Sequence, residues 1–387
     1  MAVKTWTLTD SAADSYVNRL AIGPADVGGN AQFAVNKHTL RGGLRDGVDV
    51  IHVDNGQFSF VVVPTRGMGI WRAWLGDWPI GWNSPVRGPV HPKFVPLTEP
   101  SGLGWLDGFD ELLVRCGLES NGAPDFDATG QLKYPLHGRI ANRPAQQVEV
   151  AVDDEMGQIS VTGVVEETRF HFTKLRLTST VTTMPGQAGF RIRDQIESFS
   201  GSPADAQMLY HVNFGPPLLT PGAELVAPVR KLVPRNDRAA ADVGGWQTYG
   251  PEQPGAEEQV YFFQLLADAD DRTHVLLKNS DATRGVSLRY DTRTLPYFIQ
   301  WKNTTATSDG YVTGLEPATN FPNPRTFETG QQRIVTLPPG GNVVFDLELE
   351  VQGDAVSVNE AQRQIAQIQS QAAPEIIPAP RADWCAT

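Results

Sequence analysis

From residue 58 to residue 352 the chain repeatedly alternates apolar and polar positions, the two-residue period of a strand with one face on a core. The segment NVVFDLELEVQ, residues 342–352, is the cleanest case. Val343, Phe345, Leu347, Leu349 and Val351 fall on one face, and Asp346, Glu348 and Glu350 on the other. FSFVVVP, QISVTGVVEET, KLRLTSTVTTM, FRIRDQIESFS, AQMLYHVNFG, THVLLKNS, GVSLRYD and YFIQWKN are further strand candidates, separated by Gly, Pro, Asn and Asp turns. Nothing between them has the length and period of a crossover helix, which favours antiparallel sheets. A helical pattern shows only near the end, where Ser357 and Glu360 have capping-box spacing and Ala361, Ile365, Ile368 and Ala372 follow at helical intervals. The last segment, APEIIPAPRADWCAT, reads as an extended tail. The expected fold is all-β: one large antiparallel β-sandwich over residues 1–352, then a short helix and tail over 353–387.

Composition narrows the function classes. The 387 residues carry 44 acidic against 32 basic side chains, a net charge of −12, with no Lys/Arg block, so phosphate backbones are repelled and no nucleic-acid partner is expected. Cys116 and Cys385 lie far apart in no metal-like spacing, which fits a reducing compartment better than a disulfide framework. The first residues lack an apolar signal-type core and no stretch approaches the ~20 apolar residues of a membrane span, so a cytoplasmic protein without a membrane partner is expected. The glycines of PTRGMGI and LRGGLRDG have no strand-to-helix context and read as turns rather than a phosphate cradle. The C-terminal helix can dock on its own domain or on a neighbouring subunit, which keeps a homo-oligomer open.

Function must then come from side chains on strands and their loops. Among seven histidines, two stand in unusual settings. His137, in YPLHGRIANRP, precedes a glycine that permits close backbone approach and has Arg139 and Arg143 nearby. His211, in MLYHVNFGPPLL, ends an apolar strand and is followed by Asn213. Glu316 is a lone carboxylate in the small, apolar context GLEPATNFPNP, before the last strand; it either caps a turn or pairs with a histidine as general base and general acid. No serine or cysteine has a nucleophile-elbow context, and Cys116 reads as a small buried residue. There is no HxH or HExxH spacing, so neither metal nor cofactor is expected.

The ordered set LHGRIANRP, LYHVNFG, LPYFIQWKN and GLEPATNFPNP, followed by a Pro-Gly turn into a last amphipathic strand, resembles the aldose 1-epimerase, galactose-mutarotase-like family over roughly residues 45–352. The resemblance implies a substrate-orienting role for His137, a general acid at His211 with Asn213 beside it, and a general base at Glu316. It implies a small-molecule sugar substrate and exchange between its anomers; an epimerase of a keto-sugar or sugar acid, or a non-catalytic carbohydrate-binding protein, are the alternatives. Arg66, Arg139, Gln300, Lys302 and Asn320 are candidate substrate ligands, and Trp82, Trp105 and Trp301 candidate platforms for a pyranose face. The family's further substrate-binding aspartate has no evident match, and the segment GWLDGFDELLVRCGLESNGAP has no counterpart in the familiar galactose enzymes.

Overall fold

A computed structural model describes residues 3–28, 32–153 and 155–386. Among these, the strands form two large sheets, one of ten strands and one of fourteen, with antiparallel neighbours throughout apart from one short parallel pairing in the tail. The alternating segments lie where expected: Tyr297–Asn303 and Asn342–Gln352 match residue for residue, and Ile159–Thr168 pairs with Lys174–Thr183 in unbroken register. The sheets also recruit strands with no clean alternation. Leu113–Leu118 and Val312–Ala318 are buried at every residue, because both of their faces are covered. Strands before residue 58, such as Val3–Asp10 and Ala34–Thr39, complete the sheets at the N-terminal end.

The largest apolar cluster fills the space between the two sheets, with Val150, Ile192 and Leu349 from one and Val62, Tyr210, Phe298 and Leu315 from the other. A second, smaller cluster covers the outer face of the fourteen-stranded sheet and contains Trp105, Phe109, Phe262, Ile299, Phe321 and Trp384. Adjacent residues on a strand therefore serve different compartments: odd neighbours feed the core and even ones feed the outer face, or the reverse.

The C-terminal segment departs from the expected pattern in two respects. Helix Ala355–Gln369 is capped by Asp354, whose carboxylate accepts from the Ser357 backbone N–H at 2.8 Å, so Ser357 occupies the third helical position rather than the cap. The capping box sits one turn of sequence earlier than the Ser357 and Glu360 spacing suggests, and Glu360 instead pairs with Arg363. Val358, Ala361 and Ile365 dock the helix on Leu276, whereas Ala372 lies beyond its end. The tail is not merely extended: Glu375–Ile376 adds to Lys231–Leu232 as a parallel strand, and Trp384 and Cys385 are buried beside Phe321.

Candidate active site

His211 lies on strand Ala204–Phe214 and Glu316 on its neighbour Val312–Ala318, so Glu316 belongs to a central strand and not to a turn. The register pairs Val212 with Leu315 and Leu209 with Ala318, which sets His211 directly across from Glu316. Tyr210 and Leu315 point into the inter-sheet core, and the pleat turns His211 and Glu316 to the outer face. There His211 Nε2 and Glu316 Oε1 are 3.2 Å apart, and both residues are almost fully buried. Gly314, two residues before Glu316, leaves the space: a Cβ there would lie 2.5 Å from Glu316 Oε1 and 2.8 Å from His211 Cε1.

The hydrogen-bond network assigns the histidine tautomer. The Asn213 side-chain amide donates to the carbonyls of Glu111 and His211, at 3.0 and 3.2 Å, which leaves its oxygen as an acceptor. His211 Nδ1 approaches that oxygen at 2.6 Å and is therefore the protonated ring nitrogen. Nε2 then shares a single proton with Glu316. Burial lowers the proton affinity of His211 well below that of an ordinary histidine, with neighbouring His137 adding to the effect. Burial likewise raises Glu316 well above the usual carboxylate range, reinforced by the negative charge of Glu258. Both shifts favour a neutral pair, with the carboxylic acid donating to Nε2.

The pair opens onto a cavity of about 330 Å³ lined by His137, Trp105, Phe109, Trp301, Arg235 and Glu258, with Leu103, Leu106, Pro124 and Pro322 among the apolar wall residues. His137 holds the left-handed backbone region (φ 56°) just before Gly138, and its Nδ1 donates to the Asn121 carbonyl at 3.0 Å. Its Nε2 is left as an acceptor, and burial pushes the ring down to about 4, so it stays neutral. The His137 and His211 rings stand edge to face at 5.4 Å, and Trp105, Phe109 and Trp301 surround His211 at 6.3, 5.1 and 5.5 Å. Trp105 Nε1 is buried and has no hydrogen-bond partner among the described residues. At the half-exposed rim, Glu258 accepts from Trp301 Nε1 at 2.7 Å and from Arg235 at 3.2 Å.

The structure thus brings His137, His211 and Glu316 together, with Asn213 behind His211, and places the other expected ligands elsewhere. Arg66 is buried against Glu111 (2.5 Å), and its remaining donors reach Val90, Gly108 and Asn142, so it is a structural cation rather than a cavity ligand. Gln300 and Lys302 lie on the opposite face of their strand from Ile299 and Trp301. Gln300 donates to Tyr249, and the Lys302 ammonium binds the carbonyls of Gly245, Trp246 and Thr248. Desolvation brings Lys302 down to about 8. Asn320 is locked in a reciprocal amide pair with Asn121 at 2.9 and 3.0 Å. Arg139 does not line the cavity and acts on buried Glu167, whose proton affinity it lowers against the larger effect of burial. Trp82 donates to the Glu111 carbonyl and packs on Phe109 outside the cavity wall. Arg235 and Glu258, which the sequence reading missed, flank strands that meet only in the folded sheet. Among the described residues no group of three or more His, Cys, Asp or Glu is arranged to hold a metal ion.

Comparison with known proteins bears on the family and the fold. Residues 45–351 match a family described as "Domain of unknown function (DUF4432)". No curated protein sequence matches the chain. A crystal structure described as a "putative aldose 1-epimerase" from Klebsiella pneumoniae subsp. pneumoniae MGH 78578 is 35% identical and superposes with a TM-score of 0.96, over 98% of this chain and 100% of that one. A galactose mutarotase-like protein from Clostridium acetobutylicum superposes with a TM-score of 0.56 at 12% identity, over 83% of this chain and 98% of that one. One from Lactobacillus casei ATCC 334 gives 0.50 at 15% identity, over 78% and 99%. The chain belongs to the DUF4432 family, within the galactose mutarotase-like, aldose 1-epimerase superfamily.

Proposed function

We propose that the protein interconverts the anomers of a free aldose by general acid/base catalysis in the His211–Glu316 cavity. The observation that carries this reading is the one-proton pair itself, 3.2 Å apart at the base of a cavity of about 330 Å³. With one proton between them, the two groups are a base and an acid at once. With two they lack a base, and with none they lack an acid.

A bound sugar brings hydroxyl dipoles against the pair, which favours the charge-separated form, Glu316 carboxylate with His211 imidazolium. Glu316 then takes the proton from the C1 hydroxyl while His211 delivers one to the ring oxygen. The ring opens to the aldehyde, rotation about C1–C2 exposes the other carbonyl face, and the reverse transfers close the ring as the other anomer. Asn213 stabilises the imidazolium by accepting from Nδ1. His137 Nε2 accepts from a sugar hydroxyl, the unpartnered Trp105 N–H donates to one, and Trp301 offers an apolar face to the pyranose. Glu258 and Arg235 at the rim add an acceptor and a donor side by side.

The test is magnetisation exchange between anomeric protons across a panel of monosaccharides and sugar acids. Enzyme-dependent exchange at C1, with no new sugar formed, is the expected outcome. A new epimer would move the reaction to another carbon, and saturation transfer to bound sugar without exchange would make the protein a carbohydrate binder.

A further inference from the structure

Arg66 lies outside the cavity, yet a short chain of contacts ties it to the His211–Glu316 pair. It ends the turn Pro64–Arg66, and its side chain is fully enclosed. Nε reaches Glu111 Oε1 at 2.5 Å and Nη2 donates to the Gly108 carbonyl at 2.9 Å, so one rigid plane holds both ends of residues 108–111. Nη1 donates to the Val90 carbonyl and to Asn142 Oδ1, at 3.0 and 2.9 Å, which fixes the plane itself. Only glycine permits the approach: a Cβ at Gly108 would lie 2.9 Å from Nη1 and 3.0 Å from Nη2. Glu111 Oε2 accepts from the Asp110 N–H at 3.1 Å and closes the bracket.

The bracketed residues form the back of the site. Phe109 stands edge-on to His211, with ring centroids 5.1 Å apart. The Glu111 carbonyl accepts from Asn213 Nδ2 and from Trp82 Nε1, at 3.0 Å each. An Asn213 amide turned over would aim its oxygen at that carbonyl and its NH₂ group at His211 Nδ1. Two acceptor oxygens cannot bond one another, so the Glu111 carbonyl selects the observed amide orientation. That orientation presents an acceptor to Nδ1 at 2.6 Å, which puts the proton of neutral His211 there.

We infer that Arg66 is a positioning residue: by bracketing residues 108–111 it holds the carbonyl that orients Asn213, and so keeps His211 protonated at Nδ1 with Nε2 facing Glu316. The kinetic consequence rests on the general-acid reading of His211, whereas the tautomer does not. Nitrogen-15 NMR of the His211 ring in Arg66→Lys tests it, because lysine keeps the charge but cannot span Gly108 and Glu111 together. The variant should remain folded by circular dichroism and show a second His211 population protonated at Nε2. Its kcat for anomer exchange should fall about tenfold with KM little changed. Arg115→Lys, which loosens the other buried guanidinium clamp, should lower the melting temperature and leave the His211 spectrum as in the wild type. Should Arg66→Lys fail to fold, Arg66→Met/Glu111→Leu replaces the buried pair by apolar groups of similar size and carries the same expectation. An unchanged His211 spectrum in a folded Arg66 variant, or the same change in Arg115→Lys, would overturn the inference. A wild type that exchanges the anomers of no sugar would count against the proposed function instead, and the ring spectra would still decide the role of Arg66.

Discussion

Tyr210 and His211, adjacent on strand Ala204–Phe214, face opposite compartments and belong to two buried acid–base clusters, Arg115–Asp194 with Tyr210 and His211–Glu316. On the core side, Arg115 is clamped to Asp194 of the other sheet by two hydrogen bonds of 2.5 and 3.1 Å, and Ser179 and Tyr210 engage the remaining positions at 2.8 Å each. On the cavity side, His211 and Glu316 share one contact of 3.2 Å, and among the described residues Glu316 has no other polar partner. The first pair is saturated, so it can stay charged in the interior and bind the two sheets together. The second has open positions toward a ligand-sized cavity, so its proton sits where desolvation puts it until something polar arrives. Saturation marks a structural pair, and open valence beside a cavity marks a chemical one.

This contrast is open to direct attack. The largest expected effect is on turnover: Glu316→Gln removes the base and should cut anomer exchange by ~10²- to 10⁴-fold, measured by polarimetry. The same change should stabilise the fold. A carboxyl raised above its unfolded value stabilises only while protonated, so its contribution falls as pH rises above the ordinary 4.5. Glutamine escapes that loss, and its advantage in melting temperature, about 2 °C, should widen from acid to neutral pH. Arg115→Met should do the opposite, costing about 3–5 kcal/mol in denaturant titrations by leaving Asp194 buried and alone.

Asn213→Leu frees the His211 tautomer and leaves the imidazolium without its acceptor. Its kcat should fall by roughly 10–100-fold with KM little changed. His137→Asn, by contrast, should act mainly on KM. The smallest effect concerns pH: with His211 held well below 6.5, the activity plateau of the wild type should extend through neutral pH to below that value, as the pH profile of kcat/KM would reveal.

The sequence made the half-buried strands legible because their two faces differ, as in Asn342–Gln352. It hid Leu113–Leu118 and Val312–Ala318 because packing on both sides erases the alternation, and Glu316 consequently read as a loop residue. His137, His211 and Glu316 stood out as polar residues in apolar, glycine-bearing settings. The remaining candidate ligands were chosen by residue type, and pleat parity decides otherwise: Trp301 faces the cavity while Gln300 and Lys302, one step away, face the core. Parity would have been readable from Phe298 and Ile299 once the outer face was known to carry its own apolar cluster. Arg235 and Glu258 left no local signal, since their proximity arises only from the register of Val233 with Phe262 and its neighbours.

Nitrogen-15 NMR of the His211 ring reaches the core of this account, because it reports which nitrogen holds a proton without requiring a substrate. In the sugar-free protein, Nδ1 should be protonated and Nε2 should resonate as a hydrogen-bond acceptor, unchanged as the pH passes through 6.5. A ring protonated at Nε2 alone, or one titrating like a solvent-exposed histidine, would contradict it.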